Sequence, residues 1–252
     1  MTAARSGLLF DPTLMPLRRA RAARMGGDRF LHERAFADCL ERIGAARRDF
    51  HSAVIFGDAG DDWPQRLRDA GVGAVTSMAA GSSLPEDPDL CLSVGALDTA
   101  EPLPAVLSAL RHMLAPDALF IGAFAGGNSL PALRAAMRAA DEHDGGAAPH
   151  VHPRIDPPSF AALLGDAGFV MPVVDIDRVR LRYANLDALV RDLRAMATTN
   201  ILAERPRRPI LRRGLAAARK VFETLGEQGK TPETIEIIHF AAWTPPQKTA
   251  KN

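Results

Sequence analysis

The chain has 252 residues, of which 47% are hydrophobic and 24% are charged. This composition excludes collagen, low-complexity disorder and a disulfide scaffold, and it is typical of one or two globular domains. Lysines and arginines number 31 against 30 acidic residues, so the formal charge of +1 predicts no nucleic-acid partner. No apolar run approaches the roughly 20 residues that cross a bilayer, so no stable membrane insertion is expected.

The basic residues and the cysteines favour a bacterial cytoplasm. Only four of the 31 basic residues are lysines, a bias that suits a GC-rich genome. Cys39 and Cys91 are far apart and have no zinc-binding spacing, as expected in a reducing compartment. The first thirty residues lack the apolar core of a secretion signal, although their arginines leave mitochondrial import as an alternative.

The first half of the chain predicts helices followed by a parallel sheet. Residues 1–50 form a helical segment, with one or two amphipathic helices interrupted near Gly26 and Gly27. Short apolar runs then alternate with helical stretches, which predicts a doubly wound α/β sheet. The predicted strands are 53–56, 73–76, 89–94 and 119–124, and the predicted helices between them are 63–70 and 103–114.

The second half predicts a different arrangement. Alternating apolar and polar residues over 173–183, with a bulge near Asp177, and over 233–243 predict an antiparallel strand pair appended to the parallel sheet. We therefore expect one sheet domain over residues 51–244 and a disordered tail over 245–252. The predicted helices of this half are 128–144, 159–167, 186–196 and 210–225.

Several stretches of sequence are typical of a known family. They include Leu9-Phe10-Asp11, Ile121 to Gly127, Pro149-His150-Val151, Ala167-Gly168-Phe169 and Asp192 to Asn200. In these stretches the chain resembles the class I S-adenosylmethionine-dependent methyltransferases, and within them the methyltransferase-like complex I assembly factors, whose mitochondrial members are linked to arginine hydroxylation of a complex I subunit. The resemblance implies a Rossmann-like fold, S-adenosylmethionine as cofactor and a protein partner such as a respiratory complex subunit.

The resemblance places the cofactor at the ends of the first strands, where this sequence departs from the family. The family has Gly-x-Gly-x-Gly after the first strand, whereas this chain has Gly57-Asp58-Ala59-Gly60-Asp61. The family's acid after the second strand, which would bind the ribose hydroxyls, is replaced by Ser77 and Met78. These departures predict weakened or lost cofactor binding, and an ordinary tight turn is the alternative for this loop. The candidate cofactor residues are Gly57, Asp58, Gly60, Ser77, Met78 and Ser93.

Side chains in the second half are further candidates. His150 is the predicted catalytic residue, with a hydrogen bond to backbone as the alternative; His143, His150 and His152 lie near acids, but no metal site is predicted. Gly126, Gly127 and Asn128 offer backbone amides to an anion, or Asn128 caps the next helix.

Two acids and a run of arginines complete the candidates. Asp175 and Asp177 share one face of a strand, so they bind either a substrate guanidinium or the neighbouring arginines of the strand. These neighbours are Arg178, Arg180 and Arg182. The arginine-rich run 205–213 is interpreted as a solvated face.

Two functions therefore stay open. The first is a methyltransferase-fold enzyme that acts on a protein side chain, arginine included, or on a small molecule. The second is a catalytically inactive assembly protein that kept the fold. The absence of a nucleophile elbow and of a Walker loop excludes the common hydrolases and nucleotide-phosphate enzymes.

Overall fold

The computed structural model describes residues 7–78 and 85–247, and its strands form one six-stranded sheet. The strand order is β2-β1-β3-β4-β6-β5. The helices are α1 (Leu14–Arg24), α2 (Phe30–Ala45), α3 (Trp63–Asp69), α4 (Leu103–Met113), α5 (Pro131–Asp144), α6 (Pro157–Asp166), α7 (Leu186–Ala195) and α8 (Arg212–Thr224). The strands are β1 (Ser52–Phe56), β2 (Ala74–Ser77), β3 (Leu90–Val94), β4 (Leu119–Gly126), β5 (Val170–Tyr183) and β6 (Thr231–Trp243).

The chain divides into two compact units, and β5 and β6 contribute residues to both. Unit 1 comprises Met1–Phe30, Asn128–Arg154 and Arg178–Glu236. Unit 2 comprises Leu31–Gly127, Ile155–Asp177 and Ile237–Asn252.

Unit 2 contains the parallel strands that the alternating sequence predicts. β1 pairs in parallel with β2 and with β3, and β3 pairs in parallel with β4. All five residues of β3 are buried, because a strand with a neighbour on each side and helices over both faces is apolar along its whole length. The core includes the aromatic group Phe120, Phe124, Phe160 and Phe240, whose rings pack mainly edge to face.

The C-terminal strands confirm the predicted antiparallel addition to the sheet. β6 lies between β4 and β5 and runs antiparallel to β4. β5 continues over 14 residues without interruption at Asp177, where the sequence predicts a bulge. Pro245 accepts a hydrogen bond from the backbone of Asp117 at 3.2 Å, so the start of the predicted tail is held in place. Residues 248–252 of that tail lie outside the described residues.

Unit 1 is built around the packing of α5 on α8. Gly145 ends α5 with φ +84°, a left-handed conformation that suits glycine and that the Asp144-Gly145-Gly146 sequence predicts. The carboxylate of Asp144 then accepts a hydrogen bond from the backbone of Leu211 at 2.9 Å, just before α8 begins. Gly214 allows this approach, because a Cβ there would lie 2.5 Å from Oδ1 of Asp144.

The N-terminal segment contains two helices, α1 and α2, and a break between them at the predicted glycines. In unit 1, Phe10 bridges to Leu202 and packs with Leu14, Ile201 and Leu202 in a small apolar cluster. Among the described helices, none combines the length and the apolar character required to cross a membrane.

Candidate functional site

The loop after β1 depends on Gly57. This residue has φ +105°, and a Cβ at this position would lie 2.5 Å from the Cβ of Ala96, which follows β3. Any side chain is therefore excluded both by the backbone conformation and by the close approach of the next loop. A tight strand-to-helix turn explains this glycine without a ligand.

Trp63 covers the end of the same loop. Its indole is fully buried and would overlap a Cβ at Gly60. The indole stacks on Phe36 of α2 with ring centroids 4.5 Å apart, and Nε1 donates a hydrogen bond to Oε1 of Glu33 at 2.7 Å. The guanidinium of Arg66 lies over the Phe36 ring, 4.5 Å from its centroid. Side chains of α2 and α3 thus fill the space beside Gly60.

The remaining predicted cofactor residues lie at or beside the ends of the parallel strands, where open α/β sheets bind ligands. Asp58 is half-buried in the loop, and Met78 packs against the core of unit 2. Ser93 is 1% exposed, and its Oγ has no hydrogen-bond partner in the described structure. β2 ends at Ser77 and Met78 follows it, so no carboxylate stands where the resembled family has one.

The sequence of this loop differs from the family's pattern for S-adenosylmethionine. The cofactor's amino-acid part needs backbone that is free of Cβ atoms, yet Ala59 and Asp61 stand at two of the three family glycines. Asp58 and Asp61 also add two acidic side chains to this loop. The buried Oγ of Ser93 is the one feature among the described candidates that would suit a polar ligand.

His150 belongs to unit 1. Its Nε2 lies 2.7 Å from Oδ1 of Asp141, and the two side chains are only 14% and 17% exposed. Oδ2 of Asp141 accepts the backbone N–H of Ala148 at 3.0 Å, so one carboxylate holds both the loop and the imidazole. A carboxylate that accepts from Nε2–H leaves Nδ1 as the acceptor of the neutral ring. A carboxylate in this position holds the orientation of the imidazole ring.

The neighbouring histidine has a structural role. Nε2 of His152 accepts the backbone N–H of Ile201 at 3.0 Å, and its ring packs edge-on against Phe10. Burial lowers the pKa of His152 to about 4, and the charge of Arg154 adds to the effect. Within the described ranges, no group of metal-ligand geometry includes His143, His150 or His152.

The arginine pairing predicted for Asp175 and Asp177 is wrong in its partners. Asp175 binds Arg42 in a two-pronged contact at 2.8 and 3.2 Å, and Asp177 binds Arg34 at 2.6 Å. Both arginines belong to α2 rather than to the strand, because the aspartates face that helix. Their carboxylates are thus already occupied by guanidinium groups of the chain itself.

Asp177 also belongs to a group that sequence spacing does not reveal. Ligand atoms of Asp38, Asp177 and His239 lie within 4.8 Å of one another, and they are the only group of this kind among the described residues. His239 is 1% exposed, and burial lowers its pKa. The existing ion pair of Asp177 with Arg34 already neutralises one of the two carboxylates.

The predicted anion site at residues 126–128 is filled from within the chain. The amide of Gly127 donates to the carbonyl of Ile155 at 2.9 Å, and the amide of Asn128 donates to Oε2 of Glu236 at 2.8 Å. Asn128 is not the helix cap, because α5 begins at Pro131 after a left-handed Leu130. The carboxylate of Glu233 instead accepts the first helical amides, from Ala132 and Leu133.

The fold of this chain is similar to that of solved methyltransferase structures. The fold matches a solved structure of a candidate methyltransferase from Bacillus halodurans with a TM-score of 0.51 and 11% identity, over 83% of this chain and 98% of that one. The chain has the class I methyltransferase fold. No family model matches the sequence.

Sequence relatives confirm the resemblance to the arginine-hydroxylase branch. The chain is 38% identical to arginine-hydroxylase NDUFAF5 of Danio rerio over 167 residues, which are 65% of this chain and 51% of that protein. It is 33% identical to the human protein of the same name over 62% of this chain and 46% of that protein. Malonyl-[acyl-carrier protein] O-methyltransferase of Xylella fastidiosa is 37% identical over 62% of this chain and 52% of that protein. The chain thus spans about half the length of these relatives.

Proposed function

We propose that this chain is a methyltransferase-fold protein of the bacterial cytoplasm that acts on a protein side chain during assembly of a respiratory complex, and that its S-adenosylmethionine site is weakened or lost. The similarity to proteins named arginine hydroxylases supports the first part. The β1–α3 loop supports the second part, because it is packed by Trp63 and lacks two of the family glycines.

The loop is the observation that carries the proposal. A site that binds a cofactor needs open space beside the strand ends, whereas here the indole of Trp63 lies against Gly60 and is anchored by Glu33. Gly57 is required by its contact with Ala96 and so gives no independent support for a ligand.

His150 of unit 1 is the side chain to which we assign the chemistry. Asp141 fixes its ring and would stabilise a positive charge on it, which is the role of the acid in a general-base pair. In unit 2, Asp175 and Asp177 are the candidate ligands of an arginine substrate. Each is already paired with an arginine of α2, so a substrate guanidinium would have to displace Arg42 or Arg34.

A deletion strain tests the proposal. We expect that deletion of the gene lowers the amount of fully assembled respiratory complex on native gels, and that His150→Ala fails to restore it. Arg138→Gln is the control, because Arg138 is exposed on α5. Normal assembly in the deletion strain would overturn the proposal.

Mass spectrometry of the complex subunits separates the two functions. An enzyme predicts a modified side chain in the wild-type strain that is absent after deletion and in the His150→Ala strain. The alternative, a catalytically inactive assembly protein, predicts loss of assembly with no modified side chain in either strain.

A further inference from the structure

Five arginines of unit 1 line one cavity. The cavity has a volume of about 460 Å³, and His150 lies on its wall. None of the described residues that line it is acidic. The arginines come from three separate segments of the chain. They are Arg18, Arg21, Arg194, Arg205 and Arg208.

Most of this positive charge is not neutralised within the described structure. Arg205 pairs with Asp11 at 3.2 Å, whereas Arg18 and Arg21 bond only to neutral oxygens, those of Asn200 and Thr199. The buried Nε atoms of Arg18 and Arg21 have no hydrogen-bond partner among residues 7–78 and 85–247.

The pKa values of Arg18 and Arg21 reflect an excess of positive charge around this cavity. Burial lowers the pKa of Arg18, and the nearby charges of Arg205 and Arg194 lower it further. Burial and the charges of Arg18 and Arg194 also lower the pKa of Arg21. Guanidinium groups that repel one another at a partly buried site are stabilised by an anion that binds between them.

A second cavity of unit 1 adjoins the first. It has a volume of about 590 Å³ and shares Arg21, Val190, Arg194 and Ile210 with the arginine-lined cavity. Among its described lining residues the one carboxylate belongs to Asp187, which pairs with Arg219 at 2.9 Å. The rest of its wall is mostly apolar and includes Met25, Leu133, Met137, Leu186 and Leu215.

We propose that the two cavities together bind a monomeric amphiphilic anion, with its anionic group among the arginines and its alkyl chain in the apolar cavity. Each half of such a ligand matches the half of the site that it would contact. A cationic group would be repelled by the arginines, and a neutral polar chain would gain nothing from the apolar wall. His150 lies on the wall of the arginine-lined cavity, but the inference does not rest on the proposed function, because binding of the anion requires neither catalysis by His150 nor the β1–α3 loop nor a protein substrate.

Calorimetric titration of the whole chain with octyl phosphate tests the proposal. We expect octyl phosphate to bind at least tenfold more tightly than inorganic phosphate, and at least tenfold more tightly than octyl glucoside, which has the same alkyl chain but no charge. Affinity should rise about two- to fourfold per methylene from butyl to octyl phosphate. Equal binding of inorganic phosphate and octyl phosphate, or binding of octyl glucoside as tight as that of octyl phosphate, would overturn the proposal.

Variants locate the site. Arg18→Gln combined with Arg194→Gln should weaken octyl phosphate at least tenfold, and the matched control Arg138→Gln should leave it unchanged, because Arg138 lines neither cavity. Circular dichroism checks that each variant is folded. The chain-length series on the unmodified protein decides the matter even if the double variant does not fold. A double variant that folds and binds as well as the wild type contradicts the assignment.

Discussion

Nε1 of Trp63 donates a hydrogen bond to Oε1 of Glu33 at 2.7 Å, and this bond joins the first residue of α3 to α2. The other carboxylate oxygen of Glu33 accepts from Arg66 at 2.9 Å. One acid of α2 therefore holds both the buried indole beside Gly60 and the guanidinium that covers Phe36. The loop that carries the cofactor in the resembled family is here packed by these side chains.

Glu33→Ala should lower the free energy of unfolding by about 1–3 kcal/mol, because it leaves the buried indole N–H without an acceptor. Urea denaturation measures the change. Glu41→Ala, on an exposed position of α2, is the control and should shift the value by less than about 0.5 kcal/mol. If the two variants lose the same stability, the Trp63 anchor has no energetic role.

Gly57→Ala should destabilise the protein by about 2–4 kcal/mol, through backbone strain and overlap with Ala96. Gly71→Ala is a matched control, because Gly71 also has a positive φ but a Cβ there would meet no atom within 4 Å. We expect only the strain cost of about 1–2 kcal/mol from Gly71→Ala. Thermal and urea unfolding compare the two.

Ala96→Gly in the Gly57→Ala background should recover most of the difference between those variants, since it removes the overlapping methyl group. If stability is not recovered, the contact with Ala96 is not the reason why Gly57→Ala costs more than Gly71→Ala. The steric result also means that a bulky substitution at Gly57 tests folding rather than cofactor binding.

Asp144→Ala should cost about 1 kcal/mol, because the backbone N–H of Leu211 loses its acceptor at the start of α8. Glu142→Ala removes a neighbouring exposed acid and should have little effect. Hydrogen exchange of the first turn of α8 reports the change locally. Equal protection in both variants would contradict the capping role.

Acid should destabilise the protein through His152. Its pKa is about 4 in the folded chain against an ordinary value of 6.5, so the unfolded state binds the proton more tightly. The stability that the neutral ring contributes is complete above pH 6.5 and is lost as the pH falls from 6.5 towards 4, by up to about 3 kcal/mol. Urea unfolding at pH 7 and at pH 4.5 measures this loss.

His152→Gln should make that pH dependence shallower. Burial raises the pKa of Glu233, so this acid opposes the effect of His152 at low pH, and the comparison of variant with wild type cancels its contribution. An unchanged slope in His152→Gln would show that another group controls the acid transition.

The sequence predicts the elements of this fold better than the contacts between them. Apolar runs such as 53–56 and 89–94 identify strands because burial on both faces leaves a continuous local pattern. The partner of Asp175 is Arg42, 133 positions away, and no local pattern encodes that pairing. Asn128 suits a helix cap by its residue type, yet Glu236 of a later strand takes its amide.

The arginine-lined cavity shows the same limit. The sequence predicts a solvated face for Arg205 and Arg208. It gives no sign that three distant arginines, Arg18, Arg21 and Arg194, line the same cavity. The departures at Ala59 and Asp61, in contrast, are visible in the sequence alone. The structure adds that Trp63 fills the space next to that loop.

Calorimetric titration of the purified chain with S-adenosylmethionine, and separately with S-adenosylhomocysteine, tests the central claim most directly. The altered loop and the packing of Trp63 predict no heat of binding and no thermal shift at millimolar concentrations of either compound. A dissociation constant in the micromolar range would contradict the claim and show that the loop of Gly57 to Asp61 still holds the cofactor.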